Sequence, residues 1–221
     1  DALIEAVQRA RKNDAGYREG LAALKKRHLD AITKLGIAKR GTEPLGAGLE
    51  SLEARLEKDF GELEEVLRGG WLARSASERV TELVSGYGEL WSAQILASAL
   101  RSRGELATYL DARRVLIVDS NEKRVAVRWD ESQAKLDSFL AAEKPAEGEI
   151  LVITGFVAST ADGVPTTLKR NGSDYSAAIF GQLLDAREIT IWTDVDGVLS
   201  ADPRLVPDAV VLEEMTYKEV T

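Results

Sequence analysis

The sequence predicts an α/β protein, a helix-rich N-terminal half followed by a mostly parallel sheet sandwiched by helices. Three observations predict it. From Ala2 to about Leu110 the apolar residues recur at helical spacing, and Pro44 is the only proline there. After Asp111 short apolar runs rich in branched residues appear at 115–119 and 150–155, with the unbroken hydrophobicity of strands covered on both faces. Between those runs residues 130–142 are helical in pattern, which completes a strand, helix, strand unit.

The elements follow in order. Four helices are expected at 3–12, 17–35, 48–67 and 76–103. The third carries the clearest stripe, with Leu49, Leu52, Leu56, Phe60, Leu63 and Leu67 recurring every three or four residues. Residues 36–46, with their Gly, Thr and Pro, connect the second helix to the third. Asp130 is the expected N-cap of the helix at 130–142. Residues 156–168, with Asp162-Gly163 and Pro165, read as a hairpin or excursion. A helix at 174–184, a strand at 188–192 and a loop at 193–197 close the pattern, and no internal repeat is visible.

Composition narrows the chemistry. A chain of 221 residues with 44% hydrophobic and 30% charged content is ordinary for a soluble globular protein. No apolar run reaches about 18 residues and no basic start precedes an apolar stretch, so neither a membrane span nor a secretory signal is read. A cytoplasmic protein is expected, or a plastid one whose transit peptide has been removed. There is no cysteine, and the single histidine, His28, cannot build a zinc site or a serine-type triad. His28 lies among Lys and Arg on its helix and is expected to be exposed and idle. The formal charge of −8 has the wrong sign for a nucleic-acid binder. An anionic ligand would need a local basic pocket, and the chemistry must rest on Asp, Glu, Arg, Lys, Ser and Thr.

The stretch Leu168-Lys-Arg-Asn-Gly-Ser-Asp-Tyr-Ser-Ala-Ala178 is the first candidate for that pocket. Asn171-Gly172 signals a turn and places Ser173 as the N-cap of the following helix. A helix start with free N–H groups and a positive dipole end attracts an anion, and Arg170 adds a planar fork for carboxylate or phosphate. The same residues also suit a capped helix beside a solvated Lys-Arg pair, and Asp174 suits either the helix dipole or an inward role ordering cationic groups. The second candidate is Trp192-Thr-Asp-Val-Asp-Gly-Val-Leu-Ser-Ala-Asp-Pro-Arg204, a loop beyond a strand end, where α/β sheets bind ligands. Its Asp spacing lacks the closing Glu of a calcium loop. The third is Ser85-Gly-Tyr-Gly-Glu89, read as a glycine loop before a helix near Leu90, with Gly86 and Gly88 permitting close approach to a ligand and Glu89 able to accept from an ammonium group.

Together these segments resemble the catalytic domain of aspartate kinases in the amino acid kinase family. The likeness is sharpest over Thr166–Ala178 and Ile191–Arg204, with Val206-Pro-Asp-Ala209 behind them. The resemblance implies transfer of the γ-phosphoryl group of ATP, with Mg2+, to the β-carboxylate of L-aspartate, the first step toward lysine, threonine, methionine and isoleucine. It implies Arg170, Asn171, Gly172 and Ser173 as the holders of the substrate carboxylates and Glu89 as the acceptor of its ammonium. Asp174 would order the charged groups or assist proton removal, and Thr193, Asp194, Leu199 and Arg204 would contact the nucleotide. A homo-oligomer is implied, without nucleic acid or membrane as partner.

The family usually has Gly where Lys169 stands, and members fused to a homoserine dehydrogenase are the more similar there. The family's K-F-G-G-T-S segment, with its catalytic Lys, has no counterpart in this sequence. The chain therefore reads as a partial kinase domain, 1–110 helical on the substrate side and 111–221 α/β for substrate and nucleotide, with regulatory ACT domains outside it. Residues 1–221 alone are expected to be a poor catalyst. Sister kinases acting on acetylglutamate, glutamate or UMP, and a non-catalytic oligomerisation or regulatory piece, are the alternatives.

Overall fold

The structure, a computed structural model, describes residues 1–37, 51–120, 124–192, 197–216 and 218. It divides into two compact units, Asp1–Ala186 and Arg187–Thr221. In the first unit α1 (Ala2–Arg11), α2 (Tyr17–Lys34), α3 (Leu52–Ala73) and α4 (Glu78–Ser102) precede β1 (Ala107–Leu110), β2 (Val118–Ser120) and β3 (Val125–Val127). Then come α5 (Trp129–Glu143), β4 (Ile150–Ile153), β5 (Val157–Ser159), β6 (Pro165–Thr167) and α6 (Gly172–Leu183).

The helical half follows its apolar periodicity closely. Ser51 and Ser77 cap α3 and α4, their hydroxyls accepting from the Ala54 and Val80 N–H groups at 3.1 and 3.3 Å. The α3 stripe Leu52, Leu56, Phe60, Leu63 and Leu67 is buried throughout. It packs with Val7, Tyr17, Ile32, Val84 and Trp91 in one core. The expected helix start at 48 and most of the 36–46 connector lie outside the described residues.

A second core joins Leu90 of α4 to Leu110, Leu116, Val118, Leu136, Val157 and Ile179. The small residues Ala93 and Ala97 of α4 let Val152 of β4 sit directly on the helix. The expected parallel sheet is present as β1 beside β4 in register from Ala107–Ile150 to Leu110–Ile153. A parallel bridge joins Ile117 to Ser159. β2–β3 and β5–β6 are antiparallel ladders, the second being the hairpin expected at 156–168.

Several expectations are corrected. The run 115–119 is strand only from Val118, because Asp111 accepts from the Arg113 N–H at 3.0 Å and winds residues 112–114 into a 3-10 turn. Strand β1, paired with β4, went unread because Ala-Thr-Tyr-Leu is too short and mixed to make an apolar run. Arg128 occupies the N-cap of α5, with Asp130 in its first turn, since the Arg128 N–H is already donated to Ile117 O at 2.9 Å. The expected strand at 188–192 forms no ladder among the described residues, and its Ile189, Ile191 and Trp192 are exposed. Gly86, Gly88 and Glu89 belong to the middle of α4 and not to a loop before it.

Gly86 has a packing reason instead of a ligand-facing one. A Cβ built on it would stand 2.9 Å from Val157 Cγ1, so its bareness lets β5 lie against α4. Gly61 on α3 is exposed and has nothing within 4 Å of the same position. The two should respond oppositely to alanine. Gly61→Ala is expected to stabilise by about 0.5–1 kcal/mol through helix propensity alone. Gly86→Ala should destabilise by about 1–3 kcal/mol net, because overpacking outweighs that gain. Urea midpoints for both variants check this, and a rise with Gly86→Ala would show that β5 is free to retreat.

Candidate active site

The stretch between β6 and α6 is held in a sharply bent form. Leu168 donates its N–H to Phe156 O at 2.7 Å, which closes the end of the β5–β6 hairpin. The chain then passes through Lys169 at φ +61° and Asn171 at φ +56°, two left-handed residues flanking Arg170. Each such non-glycine conformation costs roughly 1 kcal/mol, so the bend persists only where its surroundings determine it. Gly172 is part of those surroundings, because a Cβ there would meet Phe156 Cδ2 at 2.7 Å and Leu168 Cβ at 3.1 Å. Buried Ser176 supplies another, accepting from the Phe156 N–H and donating to Gly172 O, each at 2.8 Å.

Asn171, not Ser173, is the N-cap of α6, and no side chain caps the helix. Ser173 is displaced into the first turn because Gly172 already begins the helix, with the Tyr175 N–H donated to Asn171 O at 3.0 Å. Gly172 donates its own N–H back to Lys169 O at 3.2 Å, so among the described residues it is the Ser173 and Asp174 amides that are left open to a ligand. Arg170, Asn171, Ser173 and Asp174 are all exposed around them. Among the described residues neither the Arg170 guanidinium nor the Asp174 carboxylate has an ion-pair partner. A free fork, open amides and a free carboxylate thus converge on one helix end, and they can receive an anionic group carrying a nearby positive charge.

Glu89 lies elsewhere on the same unit, on α4. Its carboxyl is half-buried, and burial pushes its pKa above the ordinary glutamate range. No hydrogen bond or ion pair reaches it among the described residues. It lines a cavity of about 240 Å3 together with Leu3, Arg27, His28, Ser85 and Trp91. The two places are joined through β5 and the residues before it. Gly86 on α4 meets Val157 of β5, and Gly155, just before that strand, lies 3.6 Å from Ser173 Cα as measured from its Cβ position.

The nucleotide candidates fall in the second unit. Thr193 and Asp194 lie outside the described residues. Leu199 is partly buried and bridges to Val211, and Arg204 is exposed with its guanidinium on Asp202 at 3.1 and 3.0 Å. That pairing holds the Asp202 carboxyl below its ordinary range.

Two features escaped the sequence. His28 is part-buried and not idle, its ring 5.0 Å edge-on from Trp91 and its Nδ1 2.8 Å from Leu24 O. Trp91 stacks on Phe60 at 4.2 Å and donates to Asp59 at 2.9 Å. Burial raises the Asp59 carboxyl, and the indole bond only partly offsets it. Burial, aided by the Glu62 and Asp59 carboxylates, likewise pushes the Tyr87 phenol up to about 12. The other missed feature is Lys169, read as half of a solvated basic pair. Its ammonium contacts both Glu82 and Glu78 of α4, the latter at 3.0 Å. A helical signal did exist for it, since residues 78 and 82 are one turn apart on a face that also carries Arg79.

Comparison with known proteins places this geometry. The model of the amino acid kinase family matches residues 6–221. The chloroplastic bifunctional aspartokinase/homoserine dehydrogenase 2 of Arabidopsis thaliana is 41% identical over 221 residues, which is 99% of this chain and 23% of that protein. Bifunctional aspartokinase/homoserine dehydrogenase 2 of Escherichia coli is 36% identical over 173 residues, 78% of this chain and 20% of that protein. The chain thus spans about a quarter of the length of the curated relatives it matches most fully. Among solved structures, E. coli aspartokinase III in complex with aspartate and ADP superposes with a TM-score of 0.77 at 24% identity, over 95% of this chain and 44% of that one. That likeness establishes the fold, and the match across 6–221 together with the relatives establishes that the chain belongs to the amino acid kinase family.

Proposed function

We propose that the chain is part of an aspartate kinase, transferring the γ-phosphoryl group of ATP to the β-carboxylate of L-aspartate to give 4-phospho-L-aspartate and ADP. The observation that carries the reading is the uncapped start of α6 with an unpaired Arg170 in front of it. The names of the relatives support the choice of aspartate.

On this reading Arg170 and the open amides that begin at Ser173 hold the substrate carboxylates, with Asn171 setting the bend and Gly172 keeping the approach clear of a side chain. Glu89 accepts from the α-ammonium, and the substrate's positive charge supplies the partner that this half-buried carboxylate otherwise lacks. The attacking β-carboxylate, with an ordinary pKa of about 3.9, is already ionised at neutral pH and needs no general base. Asp174 therefore serves to order the charged groups. As an O–P bond forms to the γ-phosphorus, the bond to the β-phosphate oxygen breaks, and the protein's part is positioning and charge neutralisation. Thr193, Asp194, Leu199 and Arg204 are the nucleotide contacts, with Arg204 exchanging Asp202 for phosphate.

Among the described residues no group of three or more His, Asp or Glu could cage a metal. Mg2+ belongs to the reading through the nucleotide, since this ion takes phosphate oxygens and waters plus one or two carboxylates, and Asp174 is the exposed carboxylate that would serve as such a ligand. The bound ion would neutralise phosphate charge. A homo-oligomer belongs to the same reading through the family resemblance. No helix among the described residues is long and apolar enough to cross a membrane. We place the protein in the cytoplasm, or in a plastid where its source is a plant, the compartment named for the plant relatives.

Aspartate-dependent phosphoryl transfer, trapped as the hydroxamate in the full-length protein, tests the reading. Arg170→Ala is expected to lower kcat/KM for aspartate by about a hundredfold through loss of a charge-assisted pair. A folded, ATP-binding protein inactive with aspartate would instead direct attention to acetylglutamate. Glu89 gives a second test with a sign of its own. Its folded-state pKa is raised, so the stability linked to its proton is fully present below the unfolded pKa and is lost as pH rises through the folded one. Glu89→Gln should therefore leave the free protein at least as stable at neutral pH while raising the aspartate KM about tenfold or more. The wild-type KM should rise as pH falls through the raised Glu89 pKa. A parallel fall in melting temperature and affinity in Glu89→Gln would show a structural role instead.

A further inference from the structure

Lys169 and Arg170 are neighbours in sequence with opposite fates. Arg170 is exposed and unpaired among the described residues, whereas Lys169 turns back onto α4. The Glu82 carboxylate is used on both oxygens, one on the Lys169 ammonium and the other accepting from Thr166 Oγ1 at 2.9 Å. Only 13% of the Glu82 side chain and 25% of that of Lys169 remain exposed, so water screens this pair less than an ordinary surface pair. Glu78 adds a second carboxylate at 3.0 Å. Burial lowers the Lys169 pKa, but the two carboxylates outweigh it and hold the ammonium above its ordinary range.

We propose that Lys169 is a positioning residue, a clamp that holds the left-handed bend from Lys169 to Asn171 against α4 and thereby sets affinity for the acidic substrate. The clamp meets a definite need, because the bend is strained and the residue it displays, Arg170, has no ion pair of its own to hold it among the described residues. Residue 82 stands two helical turns before Glu89 on the same helix, so the clamp also joins the carboxylate-holding end of the site to its ammonium-holding end. With its charge matched by Glu82 and Glu78, Lys169 does not compete with Arg170 for the substrate's carboxylates. The inference rests on the proposed role of Arg170 as a substrate holder.

The pair lines an open cavity of about 480 Å3 with Ser77, Ser120, Thr160 and Thr166. Removing the ammonium therefore leaves a carboxylate that water can reach, and Lys169→Met should fold. In the full-length protein, amide exchange across residues 168–173 reads the clamp without any substrate. Exchange there should accelerate about tenfold in Lys169→Met and return toward wild type in Lys169→Arg. The aspartate KM should rise about tenfold in Lys169→Met while the ATP KM stays within about twofold, and Lys169→Arg should recover most of the loss. Unchanged exchange in Lys169→Met, or KM values for aspartate and ATP that rise together, would overturn the clamp. If wild type proves inactive with aspartate, the aspartate reading fails while the exchange arm still decides for or against the clamp.

Discussion

The packing of α4 is the constraint on which the rest of the first unit depends. Its Val84, Trp91 and Ile95 close the helical core, its Leu90 enters the core of the α/β half, and Ala93 and Ala97 receive β4. Tyr87 packs against both principal cores. A helix packed against both cores must be bare where another backbone comes close, and Gly86 is bare at the point where β5 arrives. The chain thus accepts a glycine in a helix interior, a cost of about 0.5–1 kcal/mol relative to Ala, to bring the hairpin and the loop after it against the wall that carries Glu89.

What that wall presents is electrostatically unfinished. Glu89 is a half-buried carboxylate without a partner among the described residues, and Arg170 is a cation without one. Groups of this kind destabilise or contribute nothing to a free protein, and they acquire a function only when a ligand brings the missing charge. On the proposed reading an acidic amino acid, with two carboxylates and an ammonium on one short skeleton, carries the charges that both lack. The acidic chain does not oppose this, because the site depends on local charge and not on the sum of −8.

How far the sequence revealed this depended on the range of the signal. The α3 stripe and the hairpin turn residues act over a few positions, so periodicity and turn chemistry located them within a few residues. Strand β1 was invisible because four mixed residues become a strand only when β4 lies beside them. The surroundings of Glu89 were misread, since Gly-Tyr-Gly suggests a loop until the close approach of Val157 explains one of the glycines. His28 and Lys169 were misjudged for the same reason. Their partners Trp91, Glu82 and Glu78 lie 63 or more residues away, and a solvated charge looks the same in sequence as a clamped one.

The missing cap of α6 ties these points together. A serine or aspartate at the N-cap would satisfy a first-turn amide and typically stabilise a helix by about 1 kcal/mol. This chain places Asn171 there in a left-handed conformation, with its side chain making no cap bond, and has Ser173 two residues too far along to serve. The helix start is left less stable than it could be, and the deficit is made good by contacts that stay clear of the amides. Ser176 holds the Phe156 N–H, Gly172 admits the Phe156 ring, and Lys169 reaches α4. An ordinary capped helix would need none of these, whereas a helix start that keeps its amides for an anion, as the proposed role of Arg170 requires, needs its bend fixed by other means.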